Sequence, residues 1–177
     1  MNRAAKLAEE VLLLRCQVGD KNALAELIER YQRPLRYFIS RLLDDSELTE
    51  DIFQDTWLTV IRRLHGLREP DAFPTWLYRI ARNKVYHQLR KKKTWSELSE
   101  DIAVPNESED DLVSLEDVAK VHKCLRELRP EHKEVLMLRF LEQMPYQQIA
   151  EVLDCNLGTV KSRVYYAKLA LKKELEK

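Results

Sequence analysis

Apolar residues recur along this chain at steps of three and four, the period of one helix face, and strand-like alternation of β-branched residues is absent. Leu24, Leu27, Ile28, Tyr31, Leu35, Phe38, Ile39 and Leu42 predict a core-facing helix over 23–43 that tolerates Pro34 as a local kink. A second helix follows, capped by Asp45 or Ser46, with Leu48, Ile52, Phe53, Leu58 and Ile61 as its expected buried side. A third runs from 73 to about 90 with Phe73, Leu77, Ile80 and Ala81 as its stripe, and Trp76 beside that stripe reads as core. The period resumes with Leu112, Leu115, Val118, Val121, Leu125 and Leu128, stops before Pro130, and restarts with Val135, Leu136, Leu138 and Phe140.

The final pair of helices is the most informative. Ile149, Ala150 and Leu153 mark the first, over 146–153, and Val160, Val164, Ala167 and Leu171 mark the second. Asp154-Cys155-Asn156 breaks the run between them. Asn156 can cap the second helix, Ala150 is small enough for close approach, and Asp154 tolerates a left-handed turn backbone better than most residues. These features are the grammar of a helix-turn-helix, although paired amphipathic helices also build ordinary bundles. With three glycines in all (Gly19, Gly66 and Gly158), the expected fold class is all-α, in two small helical domains.

Charge sharpens the picture through its segregation, since thirty basic residues balance thirty acidic ones overall. The segment 44–55 holds six acids and no base, so the second helix cannot face phosphates and is better suited to a basic protein surface; a merely solvated face is the plain alternative. From 76 to 93 there are seven bases and no acid, which makes the third helix a DNA candidate, with Arg79, Arg82, Asn83, Tyr86 and Arg90 on its polar face and Tyr86 available for stacking. The sign reverses over 94–119, where nine acids stand without a base around Pro105; this reads as a spacer, or else as a nucleic-acid mimic shielding the basic readers. It reverses again over 155–173, where Lys161, Arg163, Lys168, Lys172 and Lys173 meet no acid, a positive field suited to phosphates.

At 177 residues and 45% hydrophobic, the chain can bury a core in one or two domains. Cys16, Cys124 and Cys155 are odd in number and widely spaced, fitting neither a disulfide framework nor a zinc site; they read as buried thiols in a reducing cytoplasm. No apolar run approaches the roughly 20 residues of a membrane helix, and residues 1–10 lack a signal-peptide core, so no membrane insertion is expected. The four histidines supply no ligand spacing, and no nucleophile–base set or phosphate-cradling glycine loop can be assembled, so no metal, cofactor or catalytic residue is expected and an enzyme is disfavoured.

Three blocks, Asp51-Ile52-Phe53-Gln54-Asp55-Thr56, Phe73-Pro74-Thr75-Trp76-Leu77-Tyr78-Arg79-Ile80-Ala81-Arg82-Asn83 and Gly158-Thr159-Val160-Lys161-Ser162-Arg163, together resemble the extracytoplasmic-function (ECF) sigma factors of bacterial RNA polymerase, in the right order over nearly the whole chain. The resemblance implies a promoter-directing initiation factor with a polymerase- and minus-10-binding domain over 1–93, an acidic linker over 94–112, and a minus-35-binding domain over 113–177. It implies polymerase contact by Asp51, Gln54, Asp55 and Trp57. A minus-10 reader of Arg79, Arg82, Asn83, Tyr86 and Arg90 is implied, with the loop of Arg68 and Asp71 forming a flipped-base pocket together with Asn83. The minus-35 reader would be Lys161, Ser162, Arg163, Tyr165, Tyr166 and Lys168. Implied partners are core RNA polymerase, promoter DNA and an anti-sigma factor, with the free chain a monomer. The chain departs from the family at Tyr166, where a basic residue is common, at His87, often acidic or polar there, and at Asp154, which replaces a turn glycine. Rival readings are a dimeric helix-turn-helix regulator, which leaves the basic third helix unexplained, and a polymerase-binding adaptor, from which promoter-dependent transcription would separate a sigma factor.

Overall fold

The computed structural model describes residues 3–43, 45–95 and 123–175, and the regular elements among them are all helical. In chain order they are α1 (Arg3–Gln17), α2 (Lys21–Leu42), α3 (Ser46–Arg63), 3-10 turns at Leu64–Gly66 and Pro70–Ala72, α4 (Phe73–Trp95), α5 (Pro130–Leu136), α6 (Tyr146–Leu153) and α7 (Leu157–Leu175). The acidic stretch from 96 and the apolar positions Leu112, Leu115, Val118 and Val121 lie outside the described residues.

Helices α1 to α4 share one core. Asp20 starts α2 by accepting from the backbone N–H groups of Asn22 and Ala23 at 2.9 and 3.1 Å, and Arg15 grips the same carboxylate. Leu27, Leu35, Phe38 and Ile39 are then fully enclosed, with Pro34 accommodated inside the helix. Edge-to-face ring pairs, Tyr31 on Phe73 and Phe38 on Tyr78, lock α2 to α4. Helix α1 precedes the first helix legible in the pattern. It buries Leu12 and Leu13 but leaves Leu7, Val11 and Leu14 exposed, so its apolar residues form no single stripe. Gln17 anchors its end by donating to the carbonyls of Leu64 and Leu67.

Helix α3 corrects the expected buried side. Ile52 and Phe53 are inside, but Leu58 and Ile61 are 50% and 45% exposed, and Thr49, Thr56, Trp57 and Val60 are buried instead. The threonines can occupy core positions because each hydroxyl donates to a carbonyl one turn back, Thr49 to Asp45 and Thr56 to Ile52, both at 2.7 Å. Asp45 caps the helix through the Leu48 N–H. Arg36 of α2 makes a two-point pair with Glu50 and lies 4.0 Å over the Phe53 ring, which fixes the rotation of α3.

The C-terminal unit closes around Val135, Leu138, Ile149, Val152 and Val160, each with no measurable exposure. A π-helical turn at Met137–Leu141 joins α5 to the next segment, and beyond the fully buried Leu138 it leaves Phe140, read as apolar core, 50% exposed. The two units touch: α4 packs on α6, and α2 packs on α5. Cys124 is buried as expected, whereas Cys16 and Cys155 are half-buried free thiols, the former held above its ordinary pKa mainly by burial.

Candidate nucleic-acid interface

The helix-turn-helix takes the form expected of it. Asp154 ends α6 in the left-handed region, at φ 52° and ψ 52°. Asn156 then caps α7, its Oδ1 accepting from the Thr159 N–H at 2.8 Å and the Thr159 hydroxyl at 3.0 Å. Gly158 gives that cap room, since a Cβ there would sit 3.2 Å from Asn156 Oδ1. With Val160, Val164 and Ala167 turned inward, Lys161, Ser162, Tyr165, Tyr166 and Lys168 all face solvent.

Tyr165 and Tyr166 are 61% and 59% exposed and meet edge-to-face, an unusual display of aromatic surface that suits contact with bases or sugars. The Ser162 hydroxyl donates back to the Thr159 carbonyl, and Lys168 lies over the exposed Phe140 ring. Arg163 differs from its neighbours. It is half-buried and acts electrostatically on Glu134 of α5.

The residues expected to read minus-10 divide between three places. Arg79, Asn83 and Arg90 are exposed on α4; Asn83 and Arg90 line an open groove shared with Asp51, Asp55, Lys84 and His87. Arg82 and Tyr86, expected on the same polar face, turn instead toward the C-terminal unit: Arg82 Nε donates to Glu134 Oε1 at 2.9 Å, and its guanidinium stacks on Tyr86. Burial and the neighbouring Glu134 push the Tyr86 phenol up to about 12. Arg68 and Asp71 lie before the start of α4, where Asp71 pairs with Lys6 of α1. Asn83 is ten residues beyond Phe73 on the same continuous helix, about 15 Å along its axis.

On α3, Asp51, Gln54 and Asp55 are exposed, and Leu58 and Ile61 extend their face with apolar surface that sequence periodicity assigned to the core. Trp57 does not join them. It is 5% exposed and packed edge-to-face on Phe53, so it underlies the acidic face rather than presenting itself there. Asp55 accepts from Lys84 of α4 at 2.5 Å, a contact between the acidic helix and the basic one that linear reading had no means to find.

Two more carboxyls are tuned by the junction between the units. Burial raises Glu134 against the opposing pull of Arg82, and burial raises Glu142, which the Tyr78 hydroxyl faces. Among the described residues no group of side chains is arranged to hold a metal ion, and no helix is long and apolar enough to cross a membrane.

Comparison with known proteins places this geometry. Residues 27–94 match the family described as Sigma-70 region 2, and residues 119–171 match Sigma-70, region 4. The ECF RNA polymerase sigma-E factor of Haemophilus influenzae is 30% identical over 98% of both chains. The RNA polymerase sigma-H factor of Pseudomonas aeruginosa is 31% identical over 95% of this chain and 94% of its own. Among solved structures, the sigma factor RpoE in complex with the anti-sigma factor NepR from Bartonella quintana superposes with a TM-score of 0.71 at 25% identity, covering 86% of this chain and 96% of that one. The chain belongs to the extracytoplasmic-function sigma factors of bacterial RNA polymerase, transcription initiation factors of the alternative-sigma type.

Proposed function

We propose that this sigma factor divides its work between three surfaces: α7 reads the minus-35 element, α4 and the loop before it read the minus-10 element, and the outward face of α3 docks core RNA polymerase. The observation that carries the reading is the exposed, acid-free face of α7, held in a capped helix-turn-helix with Lys161, Tyr165, Tyr166 and Lys168 pointing outward. Side chains early in such a helix reach base edges in the major groove, while lysines on its flanks meet phosphates. Ser162 and Arg163 complete this reader.

The docking face of Asp51, Gln54 and Asp55 gains Leu58 and Ile61, and acidic residues bordering exposed apolar ones are better suited to a protein partner than to water alone. Trp57 supports that face from beneath. For the minus-10 element, Arg79, Asn83 and Arg90 are displayed on α4, Arg68 and Asp71 stand at its N-terminal end, and Arg82 and Tyr86 join once the C-terminal unit moves aside.

The functional units span 1–93 and 113–177, with 94–112 as an acidic linker. The chain works in the cytoplasm as a monomer until it meets polymerase, and it supplies binding energy while the polymerase carries out the chemistry. The sigma factor RpoE of Bartonella quintana is found with an anti-sigma factor, and we extend that kind of partner to this chain.

The test separates the surfaces. Asp51→Ala with Asp55→Ala should lower affinity for core polymerase and leave binding of the isolated chain to duplex minus-35 DNA intact, whereas Lys161→Ala with Lys168→Ala should do the reverse. Loss of both activities in both double variants would overturn the assignment.

A further inference from the structure

The outward side of α7 has a pattern of its own. Opposite the buried line of Val160, Val164 and Ala167 stand Ser162, Tyr165, Tyr166 and Leu169, at the i, i+3, i+4, i+7 spacing of one helix face. Leu169 is 49% exposed, and with the two exposed tyrosines it makes the centre of that face apolar and aromatic. Lys161 and Lys168 flank this centre on one side, and the sequence from 155 to 173 holds no acid. An apolar centre with a cationic flank suits a groove floor bordered by phosphates.

The chemistry of the centre selects among base pairs. Tyrosine and leucine cannot supply the paired donors that arginine sends to guanine N7 and O6, and the one arginine of α7, Arg163, stands half-buried to the side. In the major groove the apolar group that a base presents is the C5 methyl of thymine. Ser162 is set for thymine's pairing partner. Its hydroxyl donates to the Thr159 carbonyl at 3.0 Å, which uses its one proton and leaves the oxygen as an acceptor, the complement of the adenine N6 amine. Edge-to-face packing of Tyr165 on Tyr166, with ring centres 5.4 Å apart, restrains both rings before DNA arrives and so lowers the ordering cost of contact.

We propose that Ser162, Tyr165, Tyr166 and Leu169 make α7 a reader of thymine methyl groups, with Leu169 a further specificity-determining residue. The inference rests on the assignment of α7 to the minus-35 element and names the base chemistry that this element must carry. Ser162 and Leu169 are seven residues apart, about 10 Å along the helix, which matches about three base-pair steps. The contacted window is therefore about three consecutive pairs, rich in A·T. A patch that docks a protein instead would be indifferent to a methyl group on DNA.

The test uses holoenzyme assembled from the full chain and bacterial core polymerase, on a promoter found by run-off transcription whose minus-35 element is located by footprinting. Thymines in the protected element are replaced one at a time by deoxyuridine, which keeps the base pair and removes only the methyl. Each replacement within the window should weaken promoter binding about threefold in a competition assay, and replacements outside it should have no effect. In holoenzyme carrying Tyr166→Ser with Leu169→Ser that penalty should disappear, whereas Tm and affinity for core polymerase should stay at wild-type values because both side chains are exposed. A window of G·C pairs, equal binding of thymine and deoxyuridine by the wild type, or an undiminished penalty in the double variant would overturn the proposal. Weaker binding of the variant to core polymerase, with no deoxyuridine effect, would make the patch a protein-docking face and also refute it. Failure of the underlying assignment is read separately: Lys161→Ala with Lys168→Ala would then leave the minus-35 footprint and promoter affinity unchanged.

Discussion

Replacing Asn156 by alanine removes both hydrogen bonds at the start of α7, from the Thr159 N–H at 2.8 Å and the Thr159 hydroxyl at 3.0 Å. Loss of an N-cap costs about 1 kcal/mol, within a range of 0.5–2. The lower half of that range applies here, because the site is exposed and water can satisfy the released donors. In a chain of 177 residues this corresponds to a drop in Tm of about 1–5 °C. Fraying of the first turn also disorders Lys161 and Ser162, so affinity for a duplex minus-35 probe should fall about threefold to fivefold. Calorimetry and fluorescence anisotropy read the two effects. Asn156→Asp separates them: it caps as well as asparagine and should restore Tm, but it places a negative charge where phosphate is expected and should not restore affinity. Wild-type stability and affinity in Asn156→Ala would refute the role of the cap, and full recovery of binding in Asn156→Asp would refute the placement of the α7 N-terminus against DNA.

Further outcomes follow from individual residues. Asp154→Gly should be neutral or stabilising by up to about 1 kcal/mol, because glycine adopts φ 52° without strain, whereas Asp154→Val should cost about 1–2 kcal/mol; thermal melts distinguish them. Leu58→Ser combined with Ile61→Ser should leave Tm within about 1 °C, both side chains being exposed, while weakening core-polymerase binding about tenfold in a competition assay. The Glu50 carboxyl is held below its ordinary pKa, first by the Arg36 hydrogen bond. Its stabilisation is therefore present above the ordinary glutamate range and lost as pH falls through the depressed value; Arg36→Gln should remove that part of the acid limb, by less than about 1 kcal/mol, in acid titrations followed by circular dichroism.

The helix-turn-helix was legible because its determinants are local. Ile149 and Leu153 set one stripe, Val160, Val164 and Ala167 set the next, and Asp154 and Asn156 define the turn between them within one short stretch. Helix α1 was hidden by apolar residues on opposite sides: Leu12 and Leu13 inside, and Leu7, Val11 and Leu14 outside. On α3, apolar spacing alone points to the wrong rotation, because threonines that satisfy their own hydroxyls occupy core positions while Leu58 and Ile61 face outward. The observed rotation puts Trp57 inside. Arg82 and Tyr86 read as one face with Asn83, but their partner Glu134 lies 52 residues beyond Arg82, and only tertiary packing brings it there. Helical period reports which side of a helix is apolar; it carries no information about a second unit packing on the polar side.

Run-off transcription with bacterial core polymerase on genomic fragments, with and without the purified chain, tests promoter-directed initiation most directly, because it requires polymerase docking, promoter choice and melting at once. New transcripts starting at discrete sites, abolished by Asp51→Ala with Asp55→Ala and by Lys161→Ala with Lys168→Ala, are the predicted result. DNA binding with no polymerase-dependent start site would contradict it.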